Sequence, residues 1–275
     1  MNFKKYLSSF IRKTNLAKVA DKIRFYIQYS SNYFANKKFA AQNPAAKFPP
    51  PYFLYETYEI NYKSYYEDGF ITASEIVALF QSHLNFNEAG KKLLDWGCGP
   101  GRVVRHLPGI LKDAHPVYGC DYNEAYINWC SKNLTNISFV KNELGPPVLL
   151  MSDYFDGIYG LSIITHLSLK NHISWIAELQ RILKPGGLLL ITSQGNQFKE
   201  KLLQHELDMF NAGELVVRDT EHEGHRVYAA FQPEAFMKIV LKDFTLLRFI
   251  PGGSKESIHG LQDTWLVQKP FISIA

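Results

Sequence analysis

Apolar residues at three- and four-residue spacings open the chain: Leu7, Phe10 and Ile11, then Leu16, Val19, Ala20, Ile23, Tyr26 and Ile27. That is the period of one helix face, and it predicts a helix over 5–30 with Lys and Arg between the apolar positions. A polar stretch follows, and Phe48-Pro49-Pro50-Pro51 reads as a stiff extended boundary. Six tyrosines (52, 55, 58, 62, 65 and 66) precede a helix expected near 72–84, with Ile76, Val77, Leu79 and Phe80 on its apolar side.

Beyond residue 90 the pattern changes to short apolar runs alternating with helical periods. Strands are expected at 92–95, 117–120, 137–140, 155–161 and 188–192. Helices are expected at 103–111, 124–133 and 175–183. Such alternation implies right-handed crossovers and a parallel sheet covered by helices on both faces. The last eighty residues depart from it. Residues 215–218 and 226–231 flank a hairpin with Gly224 in its turn, a helix is expected at 233–241, and two more strands at 244–250 and 264–268 enclose a long loop, 251–263. The organisation expected is a basic helical extension (1–48), an aromatic-rich cap with the first helix (49–90), and an α/β domain (91–270) with an insertion on the substrate side (195–232).

Composition changes little in this picture, but the distribution of charge does. The 275 residues are 46% hydrophobic and 20% charged, with a formal net charge of +4, an ordinary globular balance. Residues 1–55 hold ten Lys/Arg and one acid, Asp21, a charge of +9, and the remainder carries −5. A basic arm thus precedes a mildly acidic body, which argues against a nucleic-acid partner for the body. For the arm two readings stand: an interfacial helix at anionic lipid, or a solvated helix packed on the domain or on a second copy in a homodimer. Three cysteines (98, 120 and 130) without ligand spacing argue against a disulfide framework or zinc site and fit a cytoplasmic protein. No apolar run has the length of a membrane span.

The most informative segment is Leu93-Leu94-Asp95-Trp96-Gly97-Cys98-Gly99-Pro100-Gly101-Arg102, a strand, a glycine-rich turn and the start of a helix. Glycines let a ligand approach the backbone, and such a turn at the carboxyl end of a strand suits a nucleotide-like cofactor. A dinucleotide fingerprint needs a third glycine where this chain has Arg102, which disfavours a nicotinamide oxidoreductase. The second strand ends at Asp121, twenty residues after Gly101, where a carboxylate can accept both hydroxyls of a ribose.

On these residues the chain resembles class I S-adenosylmethionine-dependent methyltransferases. The 95–101 loop is similar to that family's first motif and Asp121 to its second. Asn142 stands where the family contacts adenine, Phe155-Asp156-Gly157-Ile158-Tyr159 resembles the fourth strand, and Leu183-Lys184-Pro185-Gly186-Gly187 the turn before the fifth. The resemblance spans about 71–268. It implies S-adenosylmethionine as cofactor and a Rossmann-like, doubly wound sheet of seven strands, mostly parallel with one antiparallel strand. It also implies a cofactor-binding set of Asp95, Gly97, Cys98, Gly99, Gly101, Arg102, Asp121, Tyr122, Asn142, Glu143, Leu144 and Ser162. Ser162–Leu167, Pro146-Pro147 and Gln262-Asp263 further resemble bacterial methyltransferases encoded with glycan-assembly enzymes. That inclines the acceptor toward a saccharide or other small molecule.

The place after the fourth strand narrows the chemistry. Ser162-Ile163-Ile164 replaces the Pro-Pro-aromatic motif that adenine- and glutamine-directed enzymes carry there, and no acids stand where metal-dependent relatives hold theirs, so no metal is expected. Nor is there a pair of acids to hold a polyamine. His166 is the candidate general base, because a near-neutral pKa suits deprotonation of a hydroxyl; the competing reading is a histidine that packs under the next helix. His259, Gln262, Asp263 and Tyr55 are candidate substrate contacts. The acids and histidines of 219–225 read as a solvated hairpin tip rather than a metal site. Cys98, Trp96 and Trp129 read as packing residues. A cofactor-binding partner protein without activity is the principal alternative function.

Overall fold

The computed structural model describes residues 16–219 and 222–271. The part of the expected first helix over 5–15, and Thr220 and Glu221 of the hairpin tip, lie outside the described residues. The chain divides into two compact units, Met1–Asp68 and Gly69–Ala275.

In the first unit, helix α1 (Leu16–Gln42) runs twelve residues past the expected end at 30. The polar Ser31 and Asn32 do not break it. Ser31 Oγ and Asn32 Nδ2 both donate back to the Gln28 carbonyl, at 3.1 and 2.9 Å, so their side chains are folded onto the preceding turn. The proline boundary is the start of α2 (Pro51–Thr57), where proline's missing N–H removes no helical bond. Helix α3 (Tyr62–Gln81), of which residues 62–68 belong to this unit and the rest to the second, begins ten residues before the expected Thr72, its first turn capped by Asn61 Oδ1 on the Ser64 N–H (3.0 Å). The tyrosines are largely structural. Tyr62 stacks on Phe48 with centroids 4.3 Å apart, and Tyr55 donates its hydroxyl to Asp21 Oδ1 at 2.7 Å. Asn36, buried, accepts the Tyr62 N–H (2.8 Å) and donates to the Ile60 carbonyl.

The second unit is built on a seven-stranded sheet of β1 (Leu93–Trp96), β2 (Val117–Asp121), β3 (Ser138–Lys141), β4 (Phe155–Gly160), β5 (Leu183–Ser193), β8 (Thr245–Ile250) and β9 (Asp263–Gln268). Its order is β3-β2-β1-β4-β5-β9-β8. Only β9 runs antiparallel, lying between β5 and β8. Two apolar clusters cover the two faces, which is why β1 and β4 are buried along their whole length. The helix expected at 103–111 is a 3-10 turn (104–106) followed by one α-turn, α4 (Leu107–Ile110), which contains Pro108 and Gly109. Helix α5 (Glu124–Asn133) is capped by Asn123, and α6 (Leu169–Ile182) begins six residues earlier than expected, capped by Ser168. β5 begins at Leu183, with the pairing to β4 jumping from Phe155↔Leu183 to Gly157↔Leu188. Residues 184–187 therefore bulge out of the ladder.

The insertion holds α7 (Gln204–Asn211) and a separate antiparallel pair, β6 (Val216–Arg218) and β7 (Ala229–Phe231). Phe198, Leu202, Phe210, Val216 and Phe231 form its own apolar cluster. Helix α8 (Glu234–Val240) returns the chain to the sheet. Trp96 is buried, as expected, and packs on Trp175 at 5.2 Å; Trp129 is only half-buried and carries Arg105 over its ring. No helix among the described residues is long and apolar enough to cross a membrane.

Candidate functional site

The strand order reverses between β1 and β4, and an α/β sheet leaves a crevice at the carboxyl ends of its strands where that happens. A cleft partly open to solvent lies there. Trp96 and Gly97 follow from β1, Asp121 and Tyr122 from β2, Asn142 and Leu144 from β3, Ile163, His166 and Leu167 from β4. Trp175 and Gly224 complete it.

The loop after β1 has the conformation its sequence demands. Gly97, Gly99 and Gly101 all have φ between 52° and 78°, a region that side chains with a Cβ rarely occupy. The loop's N–H groups bind the end of β2. Gly97 and Cys98 both donate to the Cys120 carbonyl (2.8 and 3.0 Å), and Gly99 donates to Asp121 Oδ2 at 2.9 Å. The Asn123 N–H takes Asp121 Oδ1 at 2.8 Å, and the Gly101 N–H returns to the Cys98 carbonyl at 3.0 Å. Asp121 is therefore aimed by the glycine loop, with lone pairs left for a ligand. Burial pushes its carboxyl up to about 6, partly offset by those N–H donors. Asp95 is more buried in its chemistry: desolvation raises it to about 7, countered in part by the Tyr159 hydroxyl and the Arg102 charge.

Asn142 supplies a test of what the cleft accepts. Its Nδ2 donates to the Glu143 carbonyl at 2.6 Å, while its Oδ1 is buried without a hydrogen-bond partner. A buried acceptor without a donor is costly, and a ligand amine in the cleft would satisfy it. With a ribose on Asp121, this fits an adenosine.

On the other wall, His166 Nδ1 lies 2.7 Å from the Tyr228 carbonyl. A carbonyl only accepts, so Nδ1 carries the hydrogen and Nε2 of the neutral ring carries the lone pair. Burial lowers the His166 pKa below the usual histidine value, chiefly by desolvation, so the ring is neutral at pH 7. Residues 222–228 lie across this wall and are tied down three times. The Gly224 N–H donates to the His166 carbonyl (2.9 Å), the Tyr122 hydroxyl donates to the Gly224 carbonyl (3.0 Å), and Glu223 Oε1 accepts from the Ser168 N–H and Asn171 Nδ2 at 2.6 and 2.8 Å. Among the described residues no group of three acids, histidines or cysteines is arranged to hold a metal.

Other expected contacts fall in different places. Ser162, at φ 62°, joins a polar knot beyond β4 and β5: its N–H donates to Thr192 Oγ1 (2.7 Å), its Oγ accepts from Gln262 Nε2 (2.8 Å), and Thr192 donates to Gln262 Oε1 (2.7 Å). Asp263 accepts the Gly252 N–H at 2.7 Å and lies against Gly195 with no room for a Cβ, so it fastens the 251–262 loop. His259 lies near the Arg102 charge; burial and that charge lower it to about 4. Glu143 is not brought into the cleft, because its carboxylate pairs with Lys141 on the surface. Cys98 is buried, and its thiol is raised by desolvation. Tyr55 belongs to the first unit, its hydroxyl occupied by Asp21. Sequence reasoning missed Trp96, read as a packing residue, and Ile163, Leu167, Trp175 and Gly224 in the lining. Only the last carried a signal, as a turn glycine whose reach into the cleft depends on tertiary packing.

Residues 93–187 match the family model of a methyltransferase domain. That match covers 95 of the 275 residues of the chain. Its sheet is shared with a solved S-adenosylmethionine-dependent methyltransferase from Methanosarcina mazei, at 19% identity and a TM-score of 0.54, covering 70% of this chain and 97% of that one. It is also shared with magnesium protoporphyrin IX methyltransferase from Synechocystis with bound S-adenosylhomocysteine (SAH), at 15% identity and 0.53, covering 86% and 96%. A curated relative, tRNA (carboxymethyluridine(34)-5-O)-methyltransferase of Arabidopsis thaliana, is 30% identical over 105 residues, 38% of this chain and 24% of that protein. Matches to two further curated relatives span 47% and 65% of their lengths.

Proposed function

We propose that this protein transfers a methyl group from S-adenosylmethionine to a hydroxyl of a saccharide or other small molecule, with His166 as general base. The observation that carries the reading is the tautomer of His166. Tyr228 holds the hydrogen on Nδ1, so a neutral, unprotonated Nε2 belongs to a residue lining the cleft that contains Asp121 and Asn142.

The bound cofactor supplies an electrophilic methyl on a sulfonium sulfur. The protein's work is then to position, to dry and to accept a proton. Positioning can supply roughly 7–11 kcal/mol. Asp121 and Asn142 fix the adenosine, and the apolar Trp96, Ile163, Leu167 and Trp175 exclude water. His166 Nε2 takes the proton of the attacking hydroxyl, a contribution of about 10²–10⁴-fold. The −5 charge of residues 56–275 supports a small or neutral acceptor over a polyanionic one.

The test is calorimetry with SAH followed by methyl-transfer assays on a panel of hydroxylated acceptors. Tight SAH binding and transfer to a hydroxyl support the proposal. Failure to bind SAH removes the cofactor reading, and binding without transfer to any acceptor favours a silent cofactor-binding partner.

A further inference from the structure

Helix α1 has two apolar faces, and its own unit uses only one. Phe25, Asn32, Asn36 and Phe39 lie on the side that meets other residues of the first unit. Phe25 packs on Tyr52 and Tyr55, Asn32 accepts from Asn61, Asn36 joins 60–62, and Phe39 packs on Phe48. On the opposite side Val19, Ile23, Tyr26, Ile27 and Phe34 form a stripe at helical spacing. They are 54 to 81% exposed. Five large apolar side chains on one exposed face are not the scatter expected of an ordinary surface.

Charge selects the occupant. The exposed Lys22 and Arg24 border the stripe, and the exposed Lys37 and Lys38 end it. The only acid in residues 16–47, Asp21, is on the inner side, accepting the Tyr55 hydroxyl. A second copy docking by the same face would set these cations against themselves. An apolar stripe with tyrosine and phenylalanine, bordered by Lys and Arg, matches a bilayer boundary with anionic headgroups.

We propose that the outer face of α1 seats this protein on an anionic membrane surface, with Ile23, Ile27 and Phe34 among the acyl chains and Lys22, Arg24, Lys37 and Lys38 among the headgroups. The inference is independent of which acceptor is methylated.

The test is flotation of the full chain with phosphatidylcholine vesicles, with and without phosphatidylglycerol, at low and high salt. The expected result is partition onto the anionic vesicles only, weakened by salt. Partition should fall at least about tenfold in Ile27→Glu/Phe34→Glu and in Lys22→Glu/Arg24→Glu. All four positions are exposed, and circular dichroism checks that each variant keeps its fold. No preference for anionic vesicles overturns the proposal, as does partition unchanged in both variants. A dimer in light scattering that Ile27→Glu/Phe34→Glu dissociates, without vesicle binding, assigns the face to a second copy instead.

Discussion

Under the proposed function, two side chains carry separable, measurable duties. Asp121 is needed as a carboxylate, and its acid form is favoured by burial to about 6 in the protein without cofactor. Protonation removes an acceptor for the ribose, so affinity is full above that value and declines as pH falls through it. SAH binding followed by calorimetry should be flat from pH 8 to 7 and weaken by up to tenfold per unit below 6. Asp121→Ala should cost about 1.5–3 kcal/mol at pH 7.5, the range for hydrogen bonds to a charged group, and should flatten the pH dependence. His166 is depressed below 6.5. The acid limb of kcat/KM should therefore lie below that value, with a plateau above it. His166→Ala should lower kcat at least ~10²-fold with little effect on SAH affinity; a loss under about threefold would remove it as the base.

At the level of elements, the insertion is joined to the cleft's edge by Gln232. This fully buried side chain donates to the Ile164 carbonyl (3.0 Å), meets His172 Nε2 (3.1 Å) and accepts the Gln194 N–H (2.9 Å). It thus connects the end of β7, the turn bearing His166, α6 and the end of β5. Gln232→Ala leaves buried polar groups without partners and should cost about 1–3 kcal/mol, a fall in Tm of several degrees in a thermal melt. The elements themselves were legible where the code is local. The positions of the strands along the chain, the glycine loop with Asp121, and helix 124–133 follow from periodicity and turn chemistry. Helix starts were less legible, because Asn61 and Ser168 cap α3 and α6 upstream of the apolar positions that announce them. The ties of Gly224 and Tyr228 to His166 span about sixty residues, and no local pattern encodes a contact of that kind.

Over the whole molecule, opposed titrations set the response to acid. Asp95 and Asp121 have folded pKa values raised to about 7 and about 6, so each contributes stability at low pH that is lost as pH rises through those values. His172 and His259 are lowered to about 4 by burial, so they contribute stability above 6.5 that is lost as pH falls toward 4. The two tendencies run against each other between pH 7 and 5. The Tm of the protein alone should change little across that window. The increment added by SAH should shrink, because only the complex demands an ionised Asp121. Calorimetric scans with and without SAH measure both.

The hydrogen bonds of the glycine loop also decide what the cleft refuses. From Gly97 to Gly101 every N–H is spent on Cys120, Asp121 or Cys98, and Pro100 has none to give. A diphosphate bridge, which dinucleotides and nucleoside triphosphates anchor on such donors, finds none left over from Gly97 to Gly101. Abundant cellular ATP and NAD should therefore be poor competitors despite sharing the adenosine, and millimolar amounts of either should leave SAH affinity nearly unchanged in a competition titration.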